Sequence, residues 1–139
     1  MDGHDMEADL RRRVARSAFH AWTGIELVGA SPGRVELALE AADHHLNLQG
    51  SLHGGMIATL ADTATGLAVR SMVPAGRRHI TVQLDVHYLR PGRPGRITAV
   101  GTTVRVGTTI AVAEADVTDD GGRLLAKATA TVAVMAERG

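Results

Sequence analysis

Chemistry in this chain could start from one carboxylate and a pair of glycines. The stretch NLQGSLHGGMIATLADTATGLAV runs from Asn47 to Val69, and Asp62 is its only acid. Gly54 and Gly55 open its apolar half, directly after His53. An unpaired carboxylate in apolar surroundings costs several kcal/mol, so it either finds a partner or its pKa rises. A perturbed carboxylate in a cleft is a candidate general base. The structural alternative is that Asp62 bonds Thr59 or Thr65, or pairs with an arginine across an interface. Glycines at a helix start let a ligand approach backbone N–H groups that have no intrahelical acceptor, where the helix dipole favours negative charge. Gly54 and Gly55 could therefore hold a carbonyl oxygen as it becomes an oxyanion, each such donor being worth about 3–4 kcal/mol in the transition state. Their structural alternative is a tight loop-to-helix turn.

The element carrying these residues is predicted to be a helix from Gly54 to between Val69 and Met72, ending before Pro74. At about 100° per residue, Met56, Ile57, Leu60, Ala64 and Leu67 gather on the side expected to face a sheet. Asp62 falls opposite, among Ala58, Thr65, Gly66 and Val69. That second face has no Lys, Arg or Glu, which suits close approach by another backbone. A homodimer with Asp62 at or near its interface follows as an expectation. Asp62 stands about 12 Å along the axis from Gly54. The two cannot serve one atom within a straight helix; a second subunit could fold the site together, or side-chain reach and an irregular first turn could shorten the gap.

Around this helix the pattern is mostly strand. Residues 5–20 read as an amphipathic helix with acids first and arginines later. GIELVGASPGRVELALE reads as a hairpin turning at Ser31-Pro32-Gly33, with Val35, Leu37 and Leu39 inward. AADHHLNLQGSLHGG reads as loop. Then come HITVQLDVHYL with Ile80, Val82, Leu84, Val86 and Tyr88 in alternation, the connection RPGRPG, and RITAVGTTVRV. TTIAVAEADV, the turn TDDGGR and LLAKATATVAVM follow. The reading is α+β: a single domain over 1–139, an N-terminal helical segment over 1–21, and four final strands in an antiparallel meander around one long helix.

Composition narrows the function. Fifteen Lys and Arg balance fifteen Asp and Glu, so nothing calls for a nucleic-acid partner. Phe19, Trp22 and Tyr88 are the only aromatics, too few for base stacking. Cysteine chemistry is excluded by the absence of Cys. The charged N-terminus lacks the apolar core of a secretory signal, and no apolar run approaches the ~20 residues of a membrane span. A soluble cytoplasmic protein is expected, without membrane association.

The segment NLQGSLHGGMIATLAD, with VHYLRPG and DDGGRLLAKATATV, resembles the hotdog-fold thioesterases, and specifically the phenylacetic-acid-degradation (PaaI-type) acyl-CoA thioesterases. The resemblance spans about Gly24 to Met135. It implies a hotdog fold, an antiparallel sheet wrapped around a central helix. It also implies dimers joined through a continuous sheet, often paired into tetramers, with active sites built across the dimer interface. By resemblance Asp62 takes the place of the catalytic carboxylate, as general base or nucleophile. Gly54 supplies the N–H that polarises the thioester carbonyl, Asn47 helps place the acyl group or water, and Thr81 is a partner-subunit hydroxyl that orients the water. Strand alternation alone puts Thr81 with Gln83 and Asp85 on the more polar face; a bulge near the strand start would re-aim it. His53 either pairs with Asp62 in acid–base work, as in hotdog dehydratases, or fixes its loop by backbone hydrogen bonds, and the second role is preferred.

Other residues fill out the expectation. Gly55 would join Gly54 in substrate binding, and Arg90 and Arg93, with Arg77, Arg78 and Arg96, could hold coenzyme A phosphates. His44, His45, His79 and His87, with Asp43 and Asp85, show no metal-ligand spacing, so no metal is expected. No G-x-S-x-G elbow is present. The expected activity is hydrolysis of an acyl-CoA, aryl or arylacetyl by family analogy, with no cofactor beyond the coenzyme A of the substrate. Alternatives are a hotdog enoyl-CoA hydratase or dehydratase, or a non-catalytic acyl-CoA-binding module.

Overall fold

Residues 3–137 are described in the computed structural model; Met1, Asp2, Arg138 and Gly139, counted in the expected domain, lie outside the described residues. The elements run α1 (Gly3–Arg16), α2 (Ala18–Thr23), β1 (Glu26–Ser31), β2 (Arg34–Ala41), α3 (Gly54–Arg70), β3 (Arg77–Tyr88), β4 (Gly95–Val106), β5 (Ile110–Thr118) and β6 (Leu124–Ala136). The single N-terminal helix expected from periodicity breaks in two. Ser17 is the reason: its hydroxyl accepts the His20 N–H at 3.2 Å and caps α2. Gly24 then ends α2 in a left-handed conformation at φ 83°. The hairpin forms as expected, with Gly33 at φ 78° in its turn.

All six strands make one antiparallel sheet in the order β1-β2-β4-β5-β6-β3. The expected four-strand meander is therefore wrong at its first step. β4, β5 and β6 do form a meander, but β3 pairs with β6, not β4. RPGRPG is a crossover, not a hairpin turn. Its two prolines hold the chain extended, Gly92 O accepts the Leu52 N–H at 2.7 Å, and Leu89 and Arg90 N–H groups bond Leu125 O. β3 is thus an edge strand.

α3 packs against five strands, β2 to β6. The strand residues beneath it are small: Ala99 and Gly101 on β4, Ala111, Ala113 and Ala115 on β5, Ala126, Ala128 and Ala130 on β6, all buried. Alanines on both sides let the helix sit deep in the twisted sheet, so more of its circumference is covered than the helical wheel predicts. Val69 and Thr65, expected on the Asp62 face, are fully buried, while Leu67, expected against the sheet, is only half-buried. Val69 belongs to a second core cluster with Val73, Ala113, Val132 and Val134. Among the described residues no helix is long and apolar enough to cross a membrane.

The tightest approach is at Gly101. A methyl group there would collide with the Ala64 carbonyl and stand 2.9 Å from the Thr65 nitrogen, both helix backbone. Gly101→Ala is expected to destabilise the protein by more than about 2 kcal/mol, because neither backbone can yield. Chemical denaturation measures the loss, and an unchanged midpoint would contradict this packing.

Candidate active site

The candidate residues fall into two groups at different points along α3. The first surrounds Asp62, which lines a cavity of about 370 Å³ with His20, Thr63, Gly66, His79 and Thr81. Asp62 Oδ1 is buried and has no hydrogen-bond partner among the described residues. Thr65 Oγ1 donates to Ala61 O at 2.8 Å and to the Asp62 backbone carbonyl at 3.1 Å, and Thr59 Oγ1 donates to Gly55 O at 2.8 Å, so among the described residues neither hydroxyl bonds the Asp62 carboxylate.

Thr81 reaches this cavity because β3 contains a bulge. The register against β6 shifts between Thr81 and Gln83. Before the shift His79 and Thr81 face α3; after it Leu84 and Val86 face the core. Thr81 thus lines the same cavity as its own chain's Asp62, whereas the resemblance implies a hydroxyl from the partner subunit.

Two histidines of this cavity escaped sequence reasoning as site residues. The sequence offers His79 only as a metal ligand, although alternation puts it on the face of Thr81. Its ring lies over Gly66, with Nε2 3.8 Å from where a Cβ on residue 66 would stand. Burial and the Arg70 and Arg13 charges lower its pKa to about 4, against the opposing effect of Asp62. Burial lowers the His20 pKa as well. His20 Nε2 lies 3.4 Å from Thr63 Oγ1, while its Nδ1 is buried with no partner among the described residues. Nothing in the local sequence marks His20, because α2 brings it in only after the break at Ser17.

The second group sits at the start of α3. Asn47 Oδ1 accepts N–H groups from Gln49 at 2.9 Å and Ser51 at 3.1 Å, so its carbonyl shapes the 47–51 turn, and its amide nitrogen has no acceptor among the described residues. His53 is the N-cap of α3: its Nδ1 accepts the Gly55 N–H at 2.8 Å, and its own N–H donates to His45 O at 2.8 Å. This is the loop-fixing arrangement, and it leaves the proton on Nε2. The Gly55 N–H is occupied, and among the described residues the Gly54 N–H is not. α3 is helical from Gly54 onward, so no irregular first turn shortens the ~12 Å to Asp62. The chain does not bring Asn47, His53 or Gly54 to Asp62.

The arginines also divide. Arg77 donates to Thr108 O at 2.7 Å, Arg96 pairs with Glu40 at 3.1 Å, and Arg78 is half-buried beside Met135. Arg90 and Arg93 are exposed on the crossover that contacts Leu52, near the start of α3, with no acid partner among the described residues. Among the described residues no three His, Asp or Glu side chains gather as a metal site. His45 is engaged instead with Ala42 N and Thr23 O.

The depressed His79 pKa makes stability pH-dependent. As pH falls below about 6.5 the unfolded chain takes up this proton first, and the folded protein follows only near 4. The contribution is fully present above that window and is lost through it; His20 acts in the same direction. Denaturation midpoints should fall as pH drops from about 6.5 to about 4, and His79→Gln should flatten the decline. Parallel slopes in the two proteins would refute the assignment.

Known proteins share both the sequence and the shape of this arrangement. The thioesterase superfamily profile matches residues 49–126, from the Asn47 turn through α3 to β6. Acyl-coenzyme A thioesterase 13 of Homo sapiens is 31% identical over 74% of this chain and 74% of its own length. A Streptococcus mutans protein solved with acetyl CoA superposes with a TM-score of 0.75 at 34% identity, covering 83% of this chain and 91% of that one. For the fold alone, the Escherichia coli PaaI protein superposes with a TM-score of 0.88 at 22% identity, over 99% of this chain and 96% of that one. The wrapped sheet is a hotdog fold, and the chain belongs to the thioesterase superfamily of enzymes.

Proposed function

We propose that this protein hydrolyses acyl-CoA thioesters to a carboxylic acid and free coenzyme A, at two equivalent sites between the α3 helices of a homodimer. One observation carries the reading: Asp62 Oδ1 is buried, with no partner among the described residues, in a cavity that Thr81 also lines. An orphaned carboxylate oxygen weakens the fold, so its retention beside a hydroxyl suits a base that takes a proton from water. The human relative is named for acyl-coenzyme A, and the Streptococcus neighbour was solved with acetyl CoA.

Symmetry offers a way to unite the two groups. Among the described residues the outer edge of β3 is unpaired, and Ile80 and Val82 on this strand are 53% and 60% exposed. Such an edge is a template for a second strand. Antiparallel pairing of two β3 edges about a two-fold axis lays two α3 helices side by side in opposite directions. An axis near Ala58, midway between Gly54 and Asp62, sets Asp62 against Gly54 of the partner subunit. Ala58 is small enough for that approach.

In the proposed reaction Thr81 orients a water molecule and Asp62 removes its proton as the oxygen attacks the thioester carbonyl. The partner's Gly54 N–H holds the oxyanion. Collapse expels the coenzyme A thiolate, which takes up the proton from Asp62. The partner's Asn47 amide helps place the acyl group, and Arg90 and Arg93 serve the coenzyme A phosphates. The acyl group is aryl or arylacetyl, no cofactor takes part, and dimers pair into tetramers. A hydratase using His53 as its acid–base group is less well supported, because Nδ1 is already the helix cap.

Free-thiol release from a panel of acyl-CoAs tests the activity, and absence of release from every ester would sink it. Asp62→Asn should lose on the order of 10²–10⁴ in rate. Gly54→Pro removes the N–H at a helix position that tolerates proline, after an extended His53, and should cost about 10²–10³ in kcat. Mixing the two inactive variants should restore activity, since one site of each heterodimer would be intact. No recovery on subunit exchange would count against a shared site.

A further inference from the structure

The amides that open a helix lack intrahelical acceptors. Those that follow Gly54 are nevertheless satisfied. Gly55 N–H bonds His53 Nδ1 at 2.8 Å, Met56 N–H bonds His53 O at 2.8 Å, and Ile57 N–H makes the first regular helical bond, also to His53 O, at 3.2 Å. Gly54 N–H alone has no acceptor among the described residues. An amide that must meet a developing charge has to be aimed before the reaction. Yet this one sits in a Gly-Gly pair, where the backbone is freest and no side chain can brace it.

The brace comes from the far end of β3. Tyr88, the only tyrosine in the chain, donates its hydroxyl to Gly54 O at 2.7 Å. Its ring atoms Cε1 and Cζ stand 3.4 Å from where a Cβ on residue 54 would lie, so the ring rests against the glycine itself. On the other side, Leu52 and His53 are tied by their N–H groups to Gly92 O at 2.7 Å and His45 O at 2.8 Å. Residue 54 is clamped between these ties and Tyr88. Hydrogen bonding to the carbonyl of the Gly54–Gly55 peptide also polarises that peptide, which strengthens the Gly55 bond to His53.

We propose that Tyr88 is a positioning residue for thioester hydrolysis, fixing Gly54 through the hydroxyl bond to its carbonyl and the ring packed where a Cβ would stand, so that the open Gly54 N–H is aimed at the substrate carbonyl. This rests on the reading of Gly54 as the oxyanion donor. Tyr88 acts through Gly54 and need not touch the substrate. A residue that merely fastened β3 to α3 would affect stability and leave turnover alone.

Tyr88→Phe keeps the ring and removes the bond; Tyr88→Ala removes both. With an acyl-CoA that the wild type hydrolyses, Tyr88→Phe should lower kcat and kcat/KM together by about 3- to 10-fold, the worth of one ordinary hydrogen bond, with KM nearly unchanged. Its melting temperature should stay close to that of the wild type, and Tyr88→Ala should lose more rate. Without substrate, hydrogen–deuterium exchange over residues 52–57 should be faster in Tyr88→Phe. A Tyr88→Phe protein with wild-type kcat, or with a lowered melting temperature and unchanged kcat, overturns the role of Tyr88 and leaves the thioesterase reading standing. A wild type that releases no thiol overturns the thioesterase reading and, with it, any catalytic role for Tyr88. Unchanged exchange over 52–57 overturns the bracing of Gly54 whatever the activity.

Discussion

Much of this structure depends on how closely α3 approaches β4. At Gly101 the strand has no side chain, and the Ala64 carbonyl occupies the place where one would be. Helix and sheet can meet at that depth only if both faces are stripped to alanine and glycine, as Ala61, Ala64 and Ala68 and the inner alanines of β5 and β6 are. Close packing then follows from shape rather than from large side chains, and it explains a core almost without aromatics. The sheet must curl to keep contact with a helix so near it. Curling buries Thr65 and Val69 and leaves a narrow uncovered strip that includes Ala58, Thr59, Asp62 and Thr63.

That strip is where sequence reasoning succeeded and where it fell short. The lone acid on a small-residue face was visible because helical periodicity is regular and Asp62 breaks the apolar pattern. The hairpin turn, the limits of α3 and the β4–β5–β6 meander were legible from local turn chemistry. The partner of β3 was not, because strand order depends on a crossover whose residues, Pro91 and Pro94, say only that the chain is extended there. Thr81 was ambiguous for a sharper reason: alternation is a counting rule, and the bulge adds one to the count. His20 could not be found at all, since it comes beside Thr63 only through α2, which starts at the break capped by Ser17.

The start of α3 shows a division of labour in a short loop. Asn47 spends its carbonyl on the 47–51 turn, and His53 spends one ring nitrogen on capping the helix. Each side chain is thereby fixed while one donor group stays free. Both were plausible reactive groups from the sequence, and the hydrogen bonds show why residues of that kind also suit a structural task. His45, buried and bonded through both ring nitrogens, ties α2 to this loop, so the position of the second histidine near Asp62 and the shape of the helix start are mechanically linked.

The bulge in β3 has a consequence for how such a chain can diverge. A strand without it would carry one inward face from end to end, and any change would be felt by site and core alike. By shifting phase between Thr81 and Gln83, the strand becomes two modules joined in series. The first, with His79 and Thr81, faces the Asp62 cavity; the second, with Leu84 and Val86, faces the hydrophobic interior. Substitutions in one module meet a different surface from those in the other. Selection can therefore retune the cavity wall without reopening the question of whether the protein folds.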